Sequence, residues 1–153
     1  MTVTASFKVE LLLPDGSIAE LSEGDEFTGI AVEIIFPCLD GMMGIRPGHA
    51  PMLAGLDIGD LLIVEYRKDG RTRDLHFAVG SGIIEVEEGG NVSIYANAAE
   101  YAGSINIDRA ENALRRAEKR LTDNNNALDL RRAEIARRRA SNRLEIAKKY
   151  GGR

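Results

Sequence analysis

The residues of this chain that could do chemistry are few. Among 153 residues there are two histidines, His49 and His76, and one cysteine, Cys38. His49 lies in a Gly-His-Ala-Pro turn without a nearby serine or cysteine placed to pair with it, and His76 alternates with apolar residues. A single cysteine excludes an intramolecular disulfide and a cysteine-rich zinc site. The sequence therefore predicts neither a catalytic residue nor a metal site.

Arginine is the residue type that stands out, and it is concentrated near the C-terminus. Its planar guanidinium binds carboxylate or phosphate groups through two parallel hydrogen bonds. An acidic protein surface, a nucleotide or a nucleic acid would each suit such a cluster, and so would a solvated helix face. The cluster comprises Arg109, Arg115, Arg116, Arg120, Arg131, Arg132, Arg137, Arg138, Arg139 and Arg143.

The charge of the chain is divided along its length. Residues 1–103, the acidic part, hold 6 Lys+Arg and 17 Asp+Glu, a net charge of −11. Residues 104–153, the basic part, hold 14 Lys+Arg and 7 Asp+Glu, a net charge of +7, and the two values sum to the −4 of the whole chain. This asymmetry predicts two domains that face different partners. Neither a secretory signal nor a membrane span, which needs roughly 18 apolar residues, is expected.

The acidic part has the pattern of a β-fold. It contains 14 of the 16 glycines and all four prolines. Phe7, Val9 and Leu11 alternate with polar residues, as on a half-buried strand. Two further pairs of apolar runs flank turns at Asp69-Gly70 and Gly89-Gly90, the signal of β-hairpins. Many short strands at this spacing predict an antiparallel β-sandwich or barrel.

The basic part has the pattern of two helices. No glycine or proline lies between residues 104 and 150, and apolar residues recur every three or four positions from Ile107 to Leu121 and from Leu130 to Ala147. A polar break, residues 123–126, separates the stripes. The two seams are rich in alanine and bury little apolar area, so the hairpin needs a platform, either the sandwich or another protein.

Two motifs resemble signatures of a known family. The run D-G-M-M-G-I-R-P-G-H-A-P at residues 40–51 is similar to the first signature of the epsilon subunit of the F-type rotary ATP synthase, which is called delta in mitochondria. The runs G-I-I-E-V at residues 82–86 and N-V-S-I at residues 91–94 resemble its second signature. An acidic sandwich followed by a basic helical hairpin is also the layout of that family.

The resemblance implies a fold of about ten antiparallel β-strands in a sandwich, followed by two C-terminal helices. It implies a non-catalytic subunit of the central stalk of a proton- or sodium-translocating ATP synthase, bound to the gamma subunit and to the ring of c subunits. The helices would reach the beta and alpha subunits and inhibit ATP hydrolysis. The subunit would be peripheral, on the cytoplasmic face of the energy-transducing plasma membrane.

The resemblance also implies candidate site residues. Some relatives bind ATP through an I/L-D-x-x-R-A motif, which corresponds here to residues 105–110 with Asn106 at the acidic position. Asparagine keeps a hydrogen-bonding group there but supplies no carboxylate, so weak regulatory ATP binding is expected. The predicted ATP-binding residues are Glu100, Ile105, Asn106, Arg109, Ala110, Arg116, Arg139 and Arg143.

Two surfaces for protein partners are implied as well. Many relatives carry an acidic residue at the position of Met42, close to the rotor ring, so this chain departs from them there. The predicted gamma and rotor interface comprises Asp40, Met42, Met43 and His49. The predicted contacts with acidic loops of the beta subunits are Arg131, Arg132, Arg137 and Arg138.

A nucleic-acid-binding module with a basic helical arm is the alternative interpretation. A net charge of +7 over fifty residues is compatible with phosphate contacts. Tyr150 is, however, the only aromatic residue of that arm, so it has no stacking platform for bases. The sequence accordingly favours the stalk subunit, with no nucleic-acid partner.

Overall fold

The computed structural model describes residues 4–123 and 125–151. Their order is a run of strands followed by two helices. The helices are α1, Ile107–Asp123, and α2, Ala127–Tyr150. The strands are β1 Phe7–Leu12, β2 Ile30–Cys38, β3 Gly41–Ile45, β4 Met52–Leu56, β5 Gly59–Tyr66, β6 Thr72–Val79, β7 Gly82–Val86, β8 Val92–Ala96 and β9 Ala99–Tyr101.

The strands form two sheets that share β1. The first sheet pairs β3, β2, β5, β6 and β9 in that order, and the second pairs β4, β7, β8 and β1. Phe7 and Lys8 of β1 pair with β2, whereas Val9 to Leu12 pair with β8. A single strand therefore closes the two sheets against each other along one side.

The prediction of a β-sandwich followed by a helical hairpin is confirmed. The described residues contain nine strands, where about ten were expected. In addition, Leu12 and Ile18 form one isolated β-bridge. All the strand pairs are antiparallel except β1 with β8, which run parallel. That pairing joins strands that are more than eighty residues apart in the sequence, so no local turn motif predicts it.

The hydrophobic core lies between the two sheets. Alternate residues of each strand point into it, as Leu61 and Ile63 of β5 and Ile84 of β7 do, all fully buried. Among the described residues, the members of this core lie between Phe7 and Tyr101. The hairpin therefore contributes nothing to the packing inside the sandwich.

One charged group is buried within the sandwich. Glu65 is fully buried at the end of β5, where it accepts hydrogen bonds from the Thr28 amide at 2.7 Å and from Arg73 Nε at 2.8 Å. Arg73 also binds both carboxylate oxygens of Asp25. Burial lowers the pKa of Arg73, but the hydrogen bonds and charges of Asp25 and Glu65 raise it above its ordinary value. The network ties the loop before β2 to β5 and β6.

The helical hairpin lies against the outer face of the first sheet. The helices pack on each other through alanines, with Ala110 and Ala117 of α1 and Ala133 and Ala140 of α2 all buried. Small side chains at these positions let two helices approach closely. The sandwich is thus the platform that the sequence analysis left undecided.

Candidate functional site

A cleft of about 340 Å³ opens where the hairpin meets the sandwich. β9 and the residue before it form one wall, the first turns of α1 form the second, and Arg143 of α2 forms the third. The cleft is lined by Ala98, Ala99, Glu100, Ile105, Asn106, Arg109, Ala110, Ala113, Arg116 and Arg143. The structure thus brings together seven of the eight residues predicted to bind ATP.

Asn106 occupies the start of α1 and caps it. Its Oδ1 accepts a hydrogen bond of 2.9 Å from the backbone amide of Arg109, while its carbonyl accepts the Ala110 amide at 3.0 Å. Asparagine and aspartate are equally good residues at this position, because either oxygen satisfies an amide left free in the first turn. The departure from the family motif therefore preserves the start of the helix and removes only a negative charge.

Arg143 and Glu100 form an ion pair at the cleft. Arg143 Nε lies 3.2 Å from Glu100 Oε2, and both side chains are about one-third exposed, 33% and 37%. Arg109 and Arg116, from α1, line the same cleft. Three guanidinium groups and one carboxylate give it a net positive charge, which suits an anionic ligand such as a phosphate chain.

Arg139 is the predicted ATP-binding residue that lies outside this cleft. It borders a separate, much smaller void beneath α2 with Ala78, Asn142 and Arg143. Its Nε atom is buried without a hydrogen-bond partner among the described residues. One turn of helix separates Arg139 from Arg143, so the two project toward neighbouring spaces.

The arginines predicted to contact acidic loops lie on α2 and are largely engaged within the chain. Arg138 binds Asp57, which lies between β4 and β5 of the sandwich, with a closest N–O distance of 3.2 Å. Arg137 binds Glu134 on its own helix, and this hydrogen bond lowers the pKa of the glutamate. Arg132 lies 3.9 Å from Asp129, and Arg131 is exposed.

The residues predicted to face gamma and the rotor lie at one end of the sandwich. Met42, Met43 and His49 line a shallow groove of about 490 Å³. Asp40 lies outside that groove, exposed in the turn between β2 and β3. His49 Nδ1 donates to the carbonyl of Ala50 at 2.7 Å, so it stabilises its own turn.

An exposed apolar face on the second sheet was missed by the sequence analysis. Leu53 of β4, Ile83 of β7 and Tyr95 of β8 are 70%, 47% and 46% exposed. Ile83 and Tyr95 are direct cross-strand partners, and Leu53 lies on the neighbouring strand on the same side. Outward-facing apolar residues at alternating positions of these strands were the available signal. A group of large exposed apolar side chains is a feature typical of protein-contact surfaces.

Two family models match successive parts of the chain. The ATP synthase delta/epsilon chain beta-sandwich domain matches residues 6–102, and the ATP synthase delta/epsilon chain long alpha-helix domain matches residues 104–148. The chain belongs to the delta/epsilon chain family of the ATP synthase. The two matches cover both the sandwich and the hairpin of this delta/epsilon chain.

Individual relatives agree with this family. The ATP synthase epsilon chain of Symbiobacterium thermophilum is 45% identical over 114 residues, which are 74% of this chain and 78% of that protein. The epsilon chain of Bacillus velezensis is 41% identical over 140 residues, 92% and 96% of the two chains. A chain of the Euglena gracilis mitochondrial ATP synthase shares the fold, with a TM-score of 0.72 at 22% identity over 97% of this chain and 84% of that one.

The resemblance to the epsilon subunit is thereby confirmed. This delta/epsilon chain is a non-catalytic subunit of the F-type ATP synthase and belongs to its central stalk. The matches give no support to the nucleic-acid-binding alternative. In the described part of the chain, no helix has the length and apolar character needed to cross a bilayer.

Proposed function

We propose that this subunit joins the gamma subunit to the ring of c subunits and that its hairpin controls ATP hydrolysis by moving between two positions. The observation that carries the proposal is the way the hairpin is docked. The two consecutive helices lie on the outside of a sandwich whose described core contains no residue of either helix. Such an element can leave its platform without unfolding the platform.

The contact between hairpin and sandwich is small and mostly polar. The apolar cluster at the junction consists of Ala78, Ala102 and Ile146. Around it, Asn142 donates to the carbonyl of Gly59 at 2.9 Å, and Arg138 binds Asp57. Exposed ion pairs contribute about 0–1 kcal/mol each, so this docked position can be exchanged for another of similar free energy.

Gamma is the partner that we assign to the exposed apolar face of Leu53, Ile83 and Tyr95, together with the groove at His49. An outward sheet face with three large apolar side chains suits a lasting protein contact. The β2–β3 turn, with Asp40 and Met42, is the part that we assign to the c-ring. Leu39 and Met42 are 86% and 59% exposed there, so this contact has apolar character.

The beta and alpha subunits are the proposed partners of the extended hairpin. Their acidic loops would bind the predicted arginines of α2, with Arg131 and Arg132 on the exposed side. Arg138 would exchange Asp57 for a carboxylate of the partner. The same charge serves both positions, which keeps the difference in free energy between them small.

ATP is the proposed ligand of the cleft. The cleft lies between β9 of the sandwich and both helices, so a ligand that fills it favours the retracted hairpin. Arg109, Arg116 and Arg143 line the cleft and are the proposed partners of the phosphates, whereas Arg139 borders the neighbouring void. The proposed role is regulatory, because filling the cleft changes the balance between the two positions of the hairpin.

The location that follows is peripheral, on the cytoplasmic face of the energy-transducing membrane. The chain would reach the membrane through its partners in the complex. The acidic sandwich, at −11, and the basic hairpin, at +7, would then serve the ring side and the head side of the stalk.

Affinity capture with matched surface variants tests the partner assignment. Tagged full-length chain is expected to retain gamma and c subunits from solubilised membranes. Leu53→Glu places a charge in the exposed apolar face and is expected to abolish retention of gamma. Leu128→Glu changes a leucine of α2 that is also exposed, at 57%, and is expected to retain both partners. Loss of gamma with Leu128→Glu alone would contradict the assignment.

A further inference from the structure

The last residue of α2 makes the closest aromatic contact between hairpin and sandwich. The ring of Tyr150 stacks on that of His76, with centroids 3.4 Å apart and an angle of 5° between the planes. His76 belongs to β6, so the contact joins the end of α2 to the first sheet. Tyr150 is the only aromatic residue after Gly103.

His76 is held in place independently of the hairpin. Its Nδ1 lies 3.0 Å from both carboxylate oxygens of Asp60, on the neighbouring strand β5. Only 14% of the His76 side chain is exposed. A ring fixed by a carboxylate on its own sheet offers a rigid surface, so the tyrosine alone loses freedom when the two stack.

The end of α2 is shaped to bring the tyrosine to this point. Ile146, one turn earlier, is buried against Ala78 and Ala102. Gly151 follows Tyr150, and a side chain there would collide with the carbonyls of Ala147 and Ala102. Lys149 lies with its ammonium 5.1 Å from the centre of the Tyr150 ring, a cation–π contact.

We infer that Tyr150 and His76 form a latch that holds the end of the hairpin in the retracted position. Neither residue lines the cleft at Asn106, so the latch acts without nucleotide. It lies in the last turn of α2, on the same helix as the contacts of Arg138 and Asn142 with the sandwich. The effect of the latch on ATP hydrolysis rests on the proposed function. The latch itself can be tested in the isolated chain.

Hydrogen exchange of the isolated full-length chain tests the latch. Tyr150→Ala is expected to raise the exchange rates of the amides of residues 144–149 about two- to tenfold, the range expected for losing an aromatic pair. Tyr150→Phe keeps the stacked ring and is expected to exchange at the wild-type rate. Lys149→Gln removes the cation–π contact alone and is expected to raise exchange by no more than about two- to fivefold, so the comparison of Tyr150→Ala with Tyr150→Phe carries the test. The amides of β2 and β5 report that the sandwich is intact.

A double-variant cycle separates the latch from simple fraying of the helix end. His76→Ala is expected to raise exchange in the same segment of α2, and adding Tyr150→Ala to it is expected to produce little further increase. Independent, additive effects would overturn the latch, and so would a Tyr150→Ala chain that exchanges like the wild type. If His76→Ala also exposes β5, the comparison of Tyr150→Ala with Tyr150→Phe decides the question alone, and equal exchange in those two overturns the proposal.

Discussion

Arg143 of α2 is ion-paired with Glu100 of β9 across the cleft, at 3.2 Å, so the hairpin's own arginine is already bound to the sandwich's carboxylate. An entering phosphate would compete with Glu100 for the same guanidinium. The pair therefore both helps to retract the hairpin and lowers the affinity of the cleft for anions.

ATP binding to the isolated chain is expected to be weak and to respond to Asn106 and Arg143. Arg143→Ala removes a phosphate partner and is expected to weaken binding at least about tenfold, the effect of losing a charge-assisted hydrogen bond. Asn106→Asp restores the family's carboxylate and is expected to tighten binding. Because aspartate caps a helix as well as asparagine does, α1 is unchanged in this variant.

Calorimetric titration of the three chains with ATP checks this expectation. Lys119→Ala, a change on an exposed part of α1 away from the cleft, is the control and is expected to match the wild type. If neither the wild type nor Asn106→Asp binds ATP, the proposal that ATP is the ligand of the cleft is wrong.

Residues 1–103 are expected to fold without the hairpin. The described core of the sandwich lies between Phe7 and Tyr101. Removal of the hairpin uncovers the small apolar cluster at Ala78 and Ala102 and surface residues such as His76 and Asp57, which lie outside that core. The fragment should unfold cooperatively and protect the amides of β2, β5 and β6. A fragment without a thermal transition would show that the two parts are one folding unit.

Arg73→Ala is expected to cost about 3–5 kcal/mol of unfolding free energy, because it leaves the Glu65 carboxylate buried without its partner charge. Urea unfolding of the isolated chain measures the loss. Arg71→Ala, two residues away and exposed, is expected to change stability by less than about 0.5 kcal/mol. Equal losses in the two variants would contradict the structural importance of the buried pair.

His49→Ala is expected to weaken assembly or coupling modestly, without stopping ATP synthesis at the beta subunits. His49 bonds to the backbone of its own turn and lines a groove, which is the environment of a structural or contact residue. ATP synthesis by reconstituted enzyme, together with the amount of bound subunit, measures the effect. Hydrolysis of an ester or nucleotide by the isolated chain, lost in His49→Ala, would overturn this interpretation.

Local pattern was sufficient to predict much of the fold. The turns at Asp69-Gly70 and Gly89-Gly90 do join β5 to β6 and β7 to β8, because two-strand hairpins depend on nearby residues. Gly82, within the second family signature, proves to lie so close to the carbonyl of Tyr95 that no side chain would fit. The parallel pairing of β1 with β8 was not predictable, since nothing local connects those strands.

The candidate site was predicted only as far as the family motif reaches. The resemblance to the family placed Glu100, Asn106 and Arg143 in one group, and the cleft contains them. Contacts made between distant residues outside any motif were missed, as with His76 and Tyr150. The burial of Glu65 was not predicted, because a glutamate at the end of an apolar strand is ordinarily exposed. Its partner Arg73 lies directly opposite it on the neighbouring strand β6.

ATP hydrolysis by the assembled enzyme, with and without residues 104–153 of this chain, tests the regulatory role of the hairpin most directly. The truncated chain keeps the exposed apolar face and the His49 groove, so assembly with gamma should persist and be verified in the same preparation. We expect hydrolysis to rise when the hairpin is absent, because no helix can then reach the beta and alpha subunits. Unchanged hydrolysis by a fully assembled truncated enzyme would contradict it and leave the hairpin without a regulatory role.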